Sequence, residues 1–69
     1  MNTKARKYMY LYVLQGHYGF GWEDLTAEDK NSPRNEYGSA WQRIRANKME
    51  YIANAPGMYR IIERRELAA

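Results

Sequence analysis

The stretch Tyr8-Met9-Tyr10-Leu11-Tyr12-Val13-Leu14-Gln15-Gly16 constrains the fold more than any other part of the chain. It runs seven apolar or aromatic residues without a charge and closes on a glycine. Aromatic and β-branched residues at this density suit a pleated surface, and the run has the length of one strand, placed at 7–15. Alternation puts Tyr8, Tyr10 and Tyr12 on one face and Met9, Leu11 and Val13 on the other. A strand apolar on both faces belongs in the middle of a sheet.

The chain has 69 residues, enough for one domain, with 1–6 and 66–69 expected as frayed tails. A domain of this size buries only about 60% of the surface its unfolded chain exposes. It has no cysteine and one histidine, so neither a disulfide nor a thiolate or all-protein zinc site is expected to staple it, and no cofactor is expected. Seven tyrosines, two tryptophans and one phenylalanine supply large side chains for the core instead. No run of about 18 apolar residues is present, and the basic start lacks a cleavage site of signal-peptide type, so a cytoplasmic protein is expected.

Further elements follow in order. Gly16-His17-Tyr18-Gly19 reads as a hairpin loop and 19–26 as the returning strand, with Gly21 suggesting a bulge. Thr26 and Asp29 could cap one helical turn. Ser32 followed by Pro33 predicts a helix over 33–54, with Gly38 allowing a later start near Ser39. Ala40, Trp41, Ile44, Lys48, Tyr51 and Ile52 form its apolar stripe, with Tyr37 and Ala55 at the ends. Pro56-Gly57 reads as a type II turn, and 58–65 as a last strand whose charges suit a sheet edge.

Strand–strand–helix–strand predicts an α+β fold, ββαβ, with sheet order 2-1-3 and one helix packed on one face. The third strand runs parallel to the second, in what is read as a mixed sheet. The helix stripe is expected to meet Met9, Leu11 and Val13, leaving a face of Tyr8, Tyr10 and Tyr12 uncovered.

Charge is segregated. Glu23, Asp24, Glu28 and Asp29 place −4 within seven residues, so a net charge of +3 leaves +7 elsewhere. Such polarity favours a charged partner, although a mixed solvated surface explains it equally well. Gly16-His17-Tyr18-Gly19-Phe20-Gly21 lacks the lysine and the following helix that a phosphate loop needs, which favours a plain turn. Glu23 and Asp24 are strand neighbours and point to opposite faces, so they do not form an acid pair. No nucleophile–base set can be assembled, and a non-enzyme is expected.

The segment 12–25, Tyr-Val-Leu-Gln-Gly-His-Tyr-Gly-Phe-Gly-Trp-Glu-Asp-Leu, together with Pro56-Gly57-Met58-Tyr59-Arg60 and the basic strand that follows, resembles small proteins of bacteriophage and prophage genomes. The resemblance spans about two-thirds of the chain, and its motifs mark a shape rather than an activity. The segment 30–37 departs from the more continuously helical pattern of that group, which bears on the helix start. The resemblance implies a host bacterial cytoplasm and a host protein as partner, engaged by an inhibitor or regulator.

The expected protein-binding residues are Tyr8, Tyr10, Tyr12, Trp22, Glu23, Asp24, Arg60, Arg64 and Arg65. The alternative is a nucleic-acid surface built on Arg43, Arg45 and Lys48 with the C-terminal arginines. Homodimerisation through the tyrosine face is a third reading.

Overall fold

A computed structural model describes residues 7–68. The elements are β1 (Tyr8–His17), β2 (Trp22–Asp29), α1 (Ala40–Asn54) and β3 (Met58–Leu67). The sheet order is β2-β1-β3, with the uncharged strand central as its composition demands. β2 and β3 do run in the same direction, but they flank β1 instead of each other. Both ladders are therefore antiparallel, and the sheet is not mixed.

β1 extends two residues beyond the expected end, through Gly16 and His17, and the turn falls at 18–21. Gly19 (φ 94°) and Gly21 (φ 128°) take the left-handed conformations that a tight reversal requires. Gly21 is thus a turn residue and not the bulge. The bulge lies further along β2: Leu14 pairs with Thr26 but Gln15 with Asp24, so Leu25 is the extra residue. The single helical turn expected at Thr26 is absent, because β2 continues through Asp29.

The helix starts at Ala40 rather than at Pro33. Ser39 is its N-cap, accepting from Gln42 N at 3.2 Å, while Gln42 Oε1 accepts from Ser39 N at 2.9 Å. This reciprocal box outcompetes the Ser32-Pro33 signal. Asn35 and Gly38 exchange backbone hydrogen bonds at 3.1 and 2.9 Å, with Gly38 at φ 105°, so the chain reverses where a helix was expected. Arg43 orders the connection: it donates to Glu28 Oε1, Ser32 Oγ and the carbonyls of Pro33 and Gly38. At the other end Gly57 lies outside the left-handed region, so the turn before β3 is not type II. β3 runs through Leu67, past the expected start of a tail at 66. The other expected tail, 1–6, lies outside the described residues.

The helix covers the opposite face of β1 from the one expected. Trp41 meets Tyr12 edge to face at 5.3 Å, Tyr51 packs on Tyr59, and Arg43 binds Glu28. Cross-strand register places Tyr12, Glu28, Glu63, Tyr59 and Leu14 on this one side. The fully buried Leu14 and Ile44 are the centre of the layer between helix and sheet. Tyr8, Tyr10 and Tyr12 are therefore not an open face. Tyr12 lies under Trp41, with Lys30 Nζ 5.2 Å above its ring and bridged to Glu63 at 2.6 Å. Tyr8 and Tyr10 lie on the same side, towards the far end of the β1/β3 ribbon.

Candidate binding face

The uncovered face presents Met9, Leu11, Val13, Gln15 and His17 from β1. Register gives each of the last four a flanking pair: Asp29 and Arg64 beside Leu11, Ala27 and Ile62 beside Val13, Asp24 and Arg60 beside Gln15, Trp22 and Met58 beside His17. A bare apolar sheet would expose Leu11 and Val13, yet both are buried, Val13 to 2% exposure. Long polar side chains from the flanking strands roof them.

The roof is a connected chain of hydrogen bonds. Gln15, 5% exposed, donates from Nε2 to Asp24 Oδ1 at 2.8 Å and accepts from Arg60 Nε at 2.8 Å. Arg64 grips the same carboxylate with both terminal nitrogens, at 2.5 and 3.1 Å. The Arg64 guanidinium and then the Gln15 amide hold the Asp24 carboxyl down at about 2, well below the ordinary carboxylate value, while Asp24 raises Arg64 in turn. The Arg60 guanidinium stacks 4.1 Å above the Trp22 ring, and His17 meets that ring edge-on at 5.2 Å. The bulge at Leu25 makes this possible. Without the extra residue, Leu25 would stand opposite Gln15 and Asp24 would turn to the helix side.

Of the expected protein-binding residues, Trp22, Asp24, Arg60 and Arg64 come together on this face. Glu23, Tyr8, Tyr10, Tyr12 and Arg65 fall on the helix side of the sheet. The expected nucleic-acid set is divided. Arg43 is held among Glu28, Ser32 and two carbonyls with 12% of its side chain exposed, whereas Arg45 and Lys48 stay on the helix flank. Among the described residues this face carries Arg60 and Arg64 against Asp24 and Glu66, with Asp29 at its edge, so its charges are mixed in sign.

Sequence reasoning missed Gln15, His17, Phe20 and Met58. Phe20, at 105% exposure, projects from the hairpin tip between two glycines, and Met58 is exposed at the same end of the sheet. The Gly-Phe-Gly triplet was a usable signal, since a turn cannot bury the ring it displays. The role of Gln15 had none, because its partners lie 9 and 45 residues away.

The face is shallow. A depression of about 230 Å³ lies over Leu11, Val13, Leu25 and Ala27, rimmed by Arg64 and Glu66. A hollow of about 540 Å³ between α1 and β2 is lined by Thr26, Asn47, Glu50 and Asn54, away from this network. Among the described residues no group of three or more His, Cys, Asp or Glu side chains could hold a metal ion, and no helix is long and apolar enough to cross a membrane. No protein-family model, curated protein or solved structure matches the chain.

Proposed function

We propose that this chain is a non-enzymatic protein-binding module that engages its partner through the uncovered face of the sheet. The observation that carries the reading is the Arg60–Gln15–Asp24–Arg64 network with Trp22 under Arg60, a set of rigid aromatic and arginine groups held in place before any partner arrives. Aromatic and arginine side chains dominate binding energy at protein interfaces, and ordering them in advance removes part of the entropy cost of association. Arg64 is already held by the Asp24 carboxylate and Arg60 lies between Gln15 and Trp22, an arrangement that suits a protein surface better than a phosphate backbone. Phage-like motifs at 12–25 and 56–60 support a bacterial host protein as the partner and the bacterial cytoplasm as the setting.

The test is capture from bacterial lysate on the tagged protein, with and without nuclease. The expected result is one protein retained equally in both lanes, lost with Arg60→Ala and kept with Arg45→Ala. Retention that vanishes with nuclease, or that ignores Arg60→Ala, refutes the reading.

A further inference from the structure

The helix covers only part of its own side of the sheet. Trp41, in its first turn, packs on Tyr12, and Tyr51, near its end, packs on Tyr59. α1 therefore lies over the half of the sheet nearest the hairpin. The rows in which Tyr10 pairs with Arg65 and Tyr8 with Leu67 extend beyond its N-terminal end as an uncovered shelf. Tyr10 is exposed there and, among the described residues, packs against no other ring. It stands about 7 Å from Tyr8 along the strand. The Arg65 guanidinium lies 4.3 Å over the Tyr8 ring, and Trp41, also exposed, closes the shelf at the foot of the helix.

Uncompensated positive charge collects around these rings. The two carboxylates that flank Tyr12 are each bridged, Glu28 to Arg43 and Glu63 to Lys30. Among the described residues, Arg65, Arg45 and Lys48 have no acidic partner. Arg43 and Asn47 turn towards β2. Arg45 and Lys48 stand one and two turns beyond Trp41 on the other flank of α1, so they continue the shelf along the helix.

The geometry points to a site for single-stranded nucleic acid: unpaired bases stack on Tyr10 and Trp41, and the phosphates between them pass along Arg65, Arg45 and Lys48. Exposed rings beside unneutralised cations select this occupant. A duplex keeps its bases stacked on each other and offers the rings nothing. An acidic peptide would answer the cations but brings no planar groups for Tyr10 and Trp41. The shelf lies on the opposite side of the sheet from Trp22 and Arg60, so the inference goes beyond the protein-binding reading. Its test uses a purified probe and no cellular partner, so the two can fail separately.

The experiment is a fluorescence anisotropy titration of end-labelled decauridylate with the full chain. The single strand is expected to bind at least tenfold more tightly than a ten-base-pair RNA duplex. The logarithm of affinity should fall with the logarithm of salt concentration at a slope of about −2, from about −0.7 for each of three phosphate contacts. Tyr10→Ala should weaken binding at least fivefold and Tyr10→Phe, which keeps the ring, less than twofold. Arg45→Ala should reduce the slope to about −1.4. No binding at millimolar chain in low salt, equal binding of the duplex, a Tyr10→Ala loss no greater than that of Tyr10→Phe, or displacement of the strand by an equal concentration of deca-glutamate would each overturn the proposal, the last in favour of an acidic peptide.

Discussion

Replacing Leu14 tests which face of β1 the helix covers. Leu14 and Ile44 are both fully buried in the layer between α1 and the sheet, while Val13 is buried on the far side beneath the polar roof. Leu14→Ala should cost about 2–5 kcal/mol, and Ile44→Val about 0.5–1.5 kcal/mol. A chain of 69 residues has a total stability on the order of 3–10 kcal/mol, so the milder change at Ile44 keeps the double variant measurable. Because Leu14 and Ile44 are both fully buried in the same thin layer, the spaces left by truncating them should merge, and their effects should fail to add by at least about 0.5 kcal/mol. Val13→Ala with Ile44→Val should add to within about 0.3–0.5 kcal/mol, since the sheet separates them. Urea unfolding of the single and double variants, with unchanged slopes, gives both couplings. The result that would refute the reasoning is the reverse pattern, coupling at Val13 and additivity at Leu14, which would place the helix over the Met9-Leu11-Val13 side.

Three further outcomes follow from the same geometry. Asp24 has its folded pKa depressed to about 2, so its ionised form stabilises the fold fully above the ordinary value of 3.8, and that contribution is lost as pH falls from about 4 towards 2; acid unfolding of Asp24→Asn, compared with the parent chain, should show a shallower decline across this window. Gly38→Ala should destabilise by about 1–3 kcal/mol, because φ 105° is strained for alanine and its Cβ would lie 2.5 Å from Gln42 Oε1, disrupting the capping box; thermal unfolding measures it. Phe20→Ser should leave unfolding within about 0.5 kcal/mol of the parent, since the ring is fully exposed, and a larger loss would mean the tip packs on something.

The order of elements and the sheet order were legible because composition alone identifies β1 as central, and the glycines at 19 and 21 mark the reversal beside it. The face under the helix was not legible. Both faces of β1 are apolar, and aliphatic Met9, Leu11 and Val13 look more like core than alternating tyrosines do. Leu14, at the end of the tyrosine face, decides the matter together with Ile44, while arginines 47 and 53 residues beyond Val13 and Leu11 roof the other side. The helix start was partly legible: Gly38 pointed to a start near Ser39, which the structure bears out, and Ser39-Ala40-Trp41-Gln42 is a capping-box pattern that outweighs serine followed by proline at 32–33. Half of the binding face was named in advance, because Trp22, Asp24, Arg60 and Arg64 are conspicuous residue types. Their convergence depends on one bulge that no local pattern announces.

The polar roof also has a consequence for how β3 finds its place. β1 and β2 are joined by a four-residue reversal, whereas β3 must return across more than forty residues to reach β1. A slip of one residue would turn Ile61 outward and is rejected by burial alone. A slip of two keeps every side chain on its proper face, so hydrophobicity is nearly blind to it. It would set Ile62 opposite the buried Gln15 amide and separate Arg64 from Asp24 and Glu63 from Lys30. The hydrogen-bonded arginines thus act as a vernier, reading the alignment of the closing strand at the two-residue interval that the apolar pattern cannot distinguish.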